Sequence, residues 1–278
     1  MKTLAARPAR IHDLTPKGNV AARLSMVSDL CRAQEALPDG RSPFLPDAVA
    51  PRGEWRRPTA DEITRLSTST NICDASDVLI VALPRLARVL GDALPCGGDL
   101  PTIQAAVRDV TFVRMLEACV DDLIPFCVRP DGLVCQGTWV NPGGSRLVTH
   151  NMDLDPPRRI GLHVDNWDDL PLGERACGRR RLCVNIGHRP RYLVFLEVPV
   201  SMLVAAGRFP LEVPEDLSPA ILVRAHLGKN LKQPAVRVRI DPGEAYIMNA
   251  DDVIHDGASD AGDVPDVALH FLGHFGAG

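Results

Sequence analysis

GLHVDNWDDLP, residues 161–171, places a histidine and an aspartate two positions apart, His163 and Asp165, among apolar neighbours. This alternation is typical of a β-strand, in which residues two apart lie on the same side. A strand that we expect to be buried therefore carries an imidazole and a carboxylate on one face. Two explanations are open: a core histidine satisfied by a nearby acid, or two ligands of a metal ion that takes a third ligand elsewhere.

A candidate third ligand lies downstream in DDVIHDG, residues 251–257, where His255 follows an apolar pair. It comes 255 − 163 = 92 residues after His163, which leaves room for several intervening strands. Two histidines and one carboxylate on one face of a metal ion leave neighbouring coordination positions open, and this arrangement suits Fe(II). The three residues therefore form a candidate iron site.

The overall composition is that of an ordinary soluble globular protein. The chain has 278 residues, of which 45% are hydrophobic and 24% charged, and its net charge of −4 favours neither nucleic acid nor a membrane surface as a partner. No apolar run approaches the length of a membrane-spanning helix. The eight cysteines form no C-x-x-C pair, so a zinc ribbon or dithiol redox site is not expected. We expect a cytoplasmic protein, and the excess of arginine over lysine favours a bacterial source.

The N-terminal part of the chain predicts helices. Apolar residues at helical spacing and N-capping residues predict them. The predicted helices cover residues 19–37, 74–94 and 100–123, and a capping box is expected at 59–62. We predict residues 1–58 to be a partly irregular N-terminal extension and residues 59–278 to be a single domain, whose helical part is 59–130.

The pattern changes after residue 131 to short β-rich segments separated by Gly, Pro, Asn and Asp. Because strands and helices do not alternate here, a sandwich or open barrel is expected rather than a parallel sheet. One predicted helix, near residues 215–231, interrupts the strands. The predicted fold class is α+β, with a β-barrel core over residues 131–278 and the helical part packed against it.

These motifs resemble the Fe(II)/2-oxoglutarate dioxygenase superfamily over roughly residues 130–275. The resemblance is carried by GLHVDNW (161–167), RLCVNIG (181–187) and PGEAYIMNADDVIHDG (242–257). It implies a double-stranded β-helix, or jelly-roll, core and an iron ion bound by His163, Asp165 and His255. It also implies that O₂ and 2-oxoglutarate are consumed while a substrate C–H bond is oxidised. Since Asp165 fills a carboxylate position that is small in halogenating members, hydroxylation, desaturation or cyclisation is favoured over halogenation.

The site for 2-oxoglutarate departs from the common family pattern. Many members supply an arginine after the second histidine, but no Lys or Arg follows Arg239 here. In a branch resembling the Jumonji-type oxygenases, the basic residue comes from the strand after H-x-D, where GRRRLCVNIG (178–187) lies. A guanidinium suits a carboxylate because two parallel N–H···O bonds form together.

By period-two alternation, Arg181 and Asn185 share the face that lines the predicted barrel. We therefore expect Arg181 to bind the distal carboxylate of 2-oxoglutarate with help from Asn185, and His270 is the alternative. Arg180 and Arg191 stay open as further candidates. In the competing interpretation, the three consecutive arginines only solvate a strand end.

The expected function is that of an Fe(II)- and 2-oxoglutarate-dependent oxygenase in bacterial secondary metabolism. Hydroxylation of an amino acid, a short peptide or a natural-product intermediate is favoured, because the chain is small and carries no recruitment domain. Two alternatives stay open: a cupin-like metal enzyme that uses no keto acid, and a non-catalytic β-barrel binding module in which the three candidate ligands are structural.

Overall fold

The computed structural model describes residues 7–16, 18–36, 43–67, 74–209, 218–259 and 262–276. The strands are β1 (Ile11–Asp13), β2 (Leu24–Val27), β3 (Asp29–Arg32), β4 (Val49–Arg52), β5 (Val78–Ala82), β6 (Cys127–Asn141), β7 (His150–Asn151), β8 (Arg158–Arg159), β9 (Arg180–Asn185), β10 (Arg191–Phe195), β11 (Ala235–Ile240), β12 (Glu244–Met248), β13 (His255–Ser259) and β14 (Asp266–Phe275). The helices are α1 (Val20–Arg23), α2 (Ala33–Ala36), α3 (Ala60–Leu66), α4 (Pro84–Asp92), α5 (Leu100–Ala106), α6 (Val110–Cys119), α7 (Val200–Ala205) and α8 (Pro219–Lys229), and two 3₁₀ helices cover Val120–Phe126 and Leu172–Cys177.

Two large β-sheets form the centre of the protein. The larger has the strand order β1-β5-β12-β9-β14-β6 and the smaller has the order β13-β10-β11-β2. Apart from the parallel pair β1–β5, the described neighbours in both sheets are antiparallel. Buried side chains from both sheets, among them Cys183, Phe195 and Tyr246, pack together in one cluster. The architecture is therefore α+β and rich in sheet.

Alternation along β9 separates the inside of this sandwich from its outer layer. Leu182 and Val184 pack against apolar side chains of α4, α5 and α6, whereas Cys183 lies in the cluster between the sheets. Full burial of a leucine or valine contributes about 1.5–3 kcal/mol. The alternation predicted for this strand therefore holds, and it places Arg181 on the same side as Cys183. The outer face of the smaller sheet is covered by α7, α8 and the segment around β4.

The helix predicted over residues 19–37 is wrong. The described part of this stretch forms the short helices α1 and α2 separated by β2 and β3, and residue 37 lies outside the described residues. Strand β2 pairs with β11, and this pairing buries Leu24 and Met26 between the sheets. Burial in the sheet outweighs the local helix preference of these residues. Strands β1 and β2 are edge strands of the two large sheets, although both lie in the predicted N-terminal extension.

Two further helix predictions need correction. In 74–94 the run VLIVA forms β5, in the interior of the larger sheet, and the helix starts only at Pro84. Proline is favoured at the first helical position because it lacks an N–H there. The helix predicted over 100–123 is divided, because Asp109 caps α6 by accepting a hydrogen bond from Thr111 N at 2.7 Å. The capping box at Thr59 and Glu62 is confirmed.

The β-rich segment predicted over residues 158–167 forms a strand only at Arg158–Arg159, so the strand expected around His163 is wrong. Only an isolated bridge joins His163 to His255, and the flanking residues are irregular. Gly161 has a φ of 73°, and a Cβ there would come within 2.6 Å of Val49 O, so the chain passes close to another backbone segment.

The helix expected near 215–231 is present as α8, with residues 215–217 outside the described part. Among the described residues no helix combines the length and apolarity needed to cross a membrane.

Candidate metal centre

The three predicted metal ligands come together in the structure. One ligand atom from each of His163, Asp165 and His255 lies within 4.8 Å of the others, and the described residues contain no second group of this kind. His163 Nε2 lies 3.6 Å from Asp165 Oδ1. The two histidines are held side by side by paired backbone hydrogen bonds of 3.0 and 2.8 Å, because each N–H donates to the carbonyl oxygen of the other residue.

Backbone contacts fix the orientation and tautomer of both imidazoles. His163 Nδ1 lies 2.8 Å from Gly161 O, and His255 Nδ1 lies 2.9 Å from Val253 O. A carbonyl oxygen can only accept, so each Nδ1 carries the proton and each Nε2 presents a lone pair. Both Nε2 atoms are buried and have no hydrogen-bond partner. An unsatisfied buried polar atom costs about 1–3 kcal/mol, and a cation bound between the rings would satisfy both.

The carboxylate of Asp165 is held from the side opposite the histidines. Its Oδ2 accepts a hydrogen bond from Trp167 Nε1 at 2.9 Å and forms an ion pair with Arg181 Nη2 at 2.5 Å, while Oδ1 lies on the side of His163. Burial opposes ionisation, but the charge of Arg181 and the nearby histidines outweigh it and hold the pKa of Asp165 far below its usual range. The group is therefore a carboxylate at neutral pH.

The two histidines differ in their electrostatic surroundings. Burial, with further repulsion from His163 and Arg181, lowers the pKa of His255 to about 3, despite the attraction of Asp165. Burial also acts against the charged form of His163, but the attraction of Asp165, whose Oδ1 lies 3.6 Å from Nε2, and of Asp256 outweighs burial and raises the pKa of His163. His255 is consequently a neutral imidazole at neutral pH, as a metal ligand must be.

Arg175, which the sequence analysis missed, ties the ligand segment to the rest of the site. Its fully buried guanidinium donates from Nη1 to the carbonyl oxygens of Asp165 at 2.7 Å and Asp251 at 2.8 Å. The Asp251 carboxylate in turn accepts from Trp167 N at 3.0 Å, and Asp165 N donates to Ala250 O at 2.9 Å. Asp165 is not part of a β-strand, so these hydrogen bonds, and not strand pairing, hold its backbone in place. Since the partners are backbone groups distant in sequence, no local pattern marks Arg175.

The residues predicted for co-substrate binding separate into two groups. Arg181 lies beside Asp165, and His270 stands opposite Cys183 in the β14–β9 pair, with its Nε2 buried and unpartnered. Burial and the charges of Arg181 and Arg191 hold the pKa of His270 well below its usual value. Both residues are placed to face the interior of the sandwich near the candidate metal ligands.

Asn185 does not fit its predicted role. Its Nδ2 donates to Arg189 O and to Ile240 O, each at 2.9 Å, and its Oδ1 accepts from Gly187 N at 3.1 Å. Both amide hydrogens are used, so no donor is left for a carboxylate. Asn185 stabilises the turn between β9 and β10, and we exclude it from the co-substrate site.

Arg191 is a second buried arginine between the sheets. Its Nε lies 3.3 Å from Asp266 Oδ1, its Nη1 contacts Cys183 Sγ, and Asp266 Oδ2 accepts from Asn141 Nδ2 at 3.1 Å. Burial disfavours the guanidinium charge, but the attraction of Asp266 outweighs it and raises the pKa of Arg191. Arg191 is therefore a permanent buried cation. Its alternation with Leu193 and Phe195 along β10 is the sequence signal that points it inward.

Fold and site together define a sheet-rich α+β protein with a candidate centre of two histidines and one carboxylate. No family model matches the chain, and no curated protein sequence matches it significantly. Solved structures of the Kdo hydroxylase KdoO, a non-heme Fe(II) α-ketoglutarate-dependent dioxygenase, do match. Its complex with α-ketoglutarate and Fe(III) is 16% identical over 72% of this chain and 80% of that chain, with a TM-score of 0.38. Its cobalt(II) complex is 16% identical over the same shares, with a TM-score of 0.36.

KdoO, to which this chain is similar, is an Fe(II)/2-oxoglutarate dioxygenase, the class that the sequence motifs resemble. The chemistry of the site has to follow from the chain's own side chains.

Proposed function

We propose that the protein is an Fe(II)- and 2-oxoglutarate-dependent oxygenase. The observation that carries the proposal is a pair of buried, unpartnered Nε2 atoms, on His163 and His255, gathered with one oxygen of Asp165. Two imidazoles and one carboxylate form the facial set that suits non-haem Fe(II) and leaves open positions for other ligands. When bound, the iron would supply the activation of O₂, with 2-oxoglutarate as the co-substrate that is oxidised to succinate and CO₂.

The charge balance of the interior supports a doubly negative co-substrate. Arg181 pairs with Asp165 and Arg191 with Asp266, so these four charges cancel, while burial raises the pKa of Asp256, a fully buried carboxyl group near His163, and disfavours its charge. A divalent metal ion adds two positive charges to this buried region. Uncompensated buried charge is costly, and the two carboxylates of 2-oxoglutarate would neutralise it. A neutral ligand would not.

Arg181 is the proposed anchor of the distal carboxylate of 2-oxoglutarate. Its Nη2 is bound to Asp165, but its Nε is buried and has no hydrogen-bond partner, so the guanidinium retains donor capacity. Arg191 is the alternative, because its Nε also lacks a hydrogen bond and its carboxylate partner is 3.3 Å away. His270, held neutral, would act as a hydrogen-bond donor or acceptor rather than as a charge.

A 2-oxoglutarate titration of anaerobic Fe(II)-loaded protein tests the co-substrate proposal. The proposed chelate gives a visible charge-transfer band, and admission of O₂ then yields succinate. Arg181→Met is expected to raise the half-saturating 2-oxoglutarate concentration more than Arg191→Met does, and the reverse order would move the anchor to Arg191. Metal binding without the band would indicate a cupin-like enzyme that uses no keto acid. Equal metal loading of wild type and His163→Ala would show that His163 is not a metal ligand, and would favour the non-catalytic binding module.

Hydroxylation of an amino acid, a short peptide or a natural-product intermediate remains the proposed reaction. The carboxylate of Asp165 supports hydroxylation over halogenation, since it fills the position that a halide would need. The jelly-roll description of the two facing sheets, the bacterial source, the cytoplasmic location and a role in secondary metabolism stay predictions. A screen of amino acids and short peptides for substrate-stimulated succinate formation tests the substrate class, and stimulation by none of them would remove it.

A further inference from the structure

We propose that Trp167 and Arg181 are positioning residues that hold one oxygen of Asp165, so that this carboxylate offers a single oxygen to the metal. The inference rests on the proposed metal centre and adds a role for two residues outside the ligand set. It explains how a carboxylate in an irregular segment is kept in one orientation without a strand to hold it.

The contacts of the Asp165 carboxylate are divided between its two oxygens. Oδ2 accepts a hydrogen bond from the indole Nε1 of Trp167 at 2.9 Å and lies 2.5 Å from Nη2 of Arg181 in an ion pair. One oxygen of Asp165 belongs to the group of candidate ligand atoms, and Oδ1, 3.6 Å from His163 Nε2, is the oxygen on the side of the histidines. A carboxylate whose outer oxygen is bound by two donors cannot turn both oxygens toward the metal without losing them. A bound metal ion would then keep one more coordination position open for co-substrate or O₂.

The backbone of its loop and a hydrogen bond to Asp165 fix the position of Trp167. Its side chain is 47% exposed, which is unfavourable for an indole, yet its N–H points inward to a candidate metal ligand. Its backbone N–H donates to both oxygens of Asp251, at 3.0 and 3.1 Å. Asp169, two residues later, has a φ of 49°, a left-handed conformation that turns the chain back sharply. The loop backbone therefore fixes where the indole stands.

The two donors also support one another. The guanidinium carbon of Arg181 lies 5.6 Å from the centroid of the Trp167 ring, within the range of a cation–π contact. Trp167 therefore orients Arg181 as well as Asp165. Loss of either side chain should loosen the other, so their effects on the metal site should not be additive.

Trp167→Phe tests this role, because phenylalanine retains an aromatic ring and removes the N–H donor. Trp139→Phe is the matched control: Trp139 is also 47% exposed, and its closest described ring contact is His270, with centroids 6.4 Å apart. Co(II) affinity is measured by calorimetry, and the visible d–d absorption of Co(II) reports coordination number and geometry. Neither signal depends on turnover. A stability measurement of the metal-free variants accompanies both.

We expect Trp167→Phe to bind Co(II) about 10–100-fold more weakly than wild type, the usual effect of losing a partner that orients a metal ligand. Its d–d absorption should change, while Trp139→Phe should match wild type in both signals. Arg181→Met should behave like Trp167→Phe, and Arg181→Lys should restore part of the affinity because one donor and the charge return.

Wild-type affinity and an unchanged spectrum in Trp167→Phe and Arg181→Met would overturn the inference while leaving the metal centre intact. A different result would remove the metal centre itself: no Co(II) binding by wild type, or binding by His163→Ala equal to that of wild type. The two failures are therefore distinguishable in one set of titrations.

Discussion

At His163 and His255 the same local contact decides what the imidazole can do. In both residues Nδ1 is bound to the carbonyl oxygen two positions earlier in the chain, Gly161 O in one case and Val253 O in the other. The rings are therefore turned so that both Nε2 lone pairs meet in a buried space beside Asp165. This convergence could be predicted from residue types and spacing, because H-x-D and a distant histidine are the candidate ligands themselves.

The residues that support these ligands could not be predicted in the same way. Arg175 acts through backbone carbonyls of Asp165 and Asp251, and a sequence pattern carries no information on which carbonyls will lie nearby. Asn185 was assigned by alternation to the correct strand, but its amide is used up by turn contacts that only the folded chain reveals. Alternation predicts the side on which a residue lies and leaves its partner undetermined.

Arg175→Met should destabilise the protein and weaken metal binding together. The substitution removes two hydrogen bonds to backbone carbonyls and a third to Asn166 Oδ1 from a buried charged donor, each worth about 1.5–3 kcal/mol, and leaves both carbonyl oxygens unsatisfied. Urea unfolding and Co(II) titration measure the two effects. Arg179→Met is the control, since its ion pair with Asp168 is partly exposed and should contribute at most about 1 kcal/mol. Equal losses in both variants would contradict the role of Arg175.

At the scale of elements, strands after residue 131 were predicted more successfully than helices before it. The segments from 181 to 275 alternate strongly, and their burial in the sandwich agrees with that alternation. The runs at β2 and β5 contain enough leucine, alanine and methionine to mimic a helical stripe, but pairing with distant strands decides their structure. Long-range pairing of this kind lies outside a local sequence window.

Leu182→Ala on β9 should lower the free energy of unfolding by about 2–5 kcal/mol, because it removes a fully buried side chain beneath α4–α6 and leaves a cavity. Leu154→Ala is the control, since Leu154 is exposed and the change should stay within about 0.5 kcal/mol. Chemical denaturation measures both. A loss at Leu182 no larger than that at Leu154 would show that the helices do not cover this face.

The capping box of α3 predicts an acid-dependent loss of stability. The hydrogen bond from Arg56, with the backbone of Thr59, lowers the pKa of Glu62 from 4.5 to about 2. A carboxyl group whose pKa is depressed by folding stabilises the protein above its ordinary pKa, and this contribution disappears as pH falls toward about 2. Glu62→Gln should therefore be less stable than wild type at neutral pH, and the difference should shrink below pH 4.5. A difference that is independent of pH would contradict this.

At the scale of the whole molecule, two facing sheets enclose two ion pairs whose charges cancel, so a bound divalent cation would call for a dianion beside it. Arg181, Arg191, Asp165 and Asp266 all lie largely buried, and Asp165 is itself one of the candidate metal ligands. The function proposed here follows from that balance and from the ligand set. The proposal does not depend on the likeness to KdoO, and the substrate of KdoO is not assigned to this chain.

Metal and 2-oxoglutarate should stabilise the protein cooperatively. A ligand at about 100 times its dissociation constant adds about 2.7 kcal/mol to the stability of the folded state. We expect 2-oxoglutarate to raise the melting temperature with Co(II) or Mn(II) present and to have little effect without metal, because the uncompensated positive charge is then absent. Succinamide, which carries no carboxylate, is the control ligand. An equal shift without metal would contradict the charge argument.

Anaerobic equilibrium dialysis against Fe(II) tests the central claim most directly. The account predicts one Fe(II) bound per wild-type chain, and loss of that ion in His163→Ala, Asp165→Ala and His255→Ala chains that remain folded. Retention of a full equivalent of Fe(II) by any two of these variants, or no bound Fe(II) in the wild type, would contradict it.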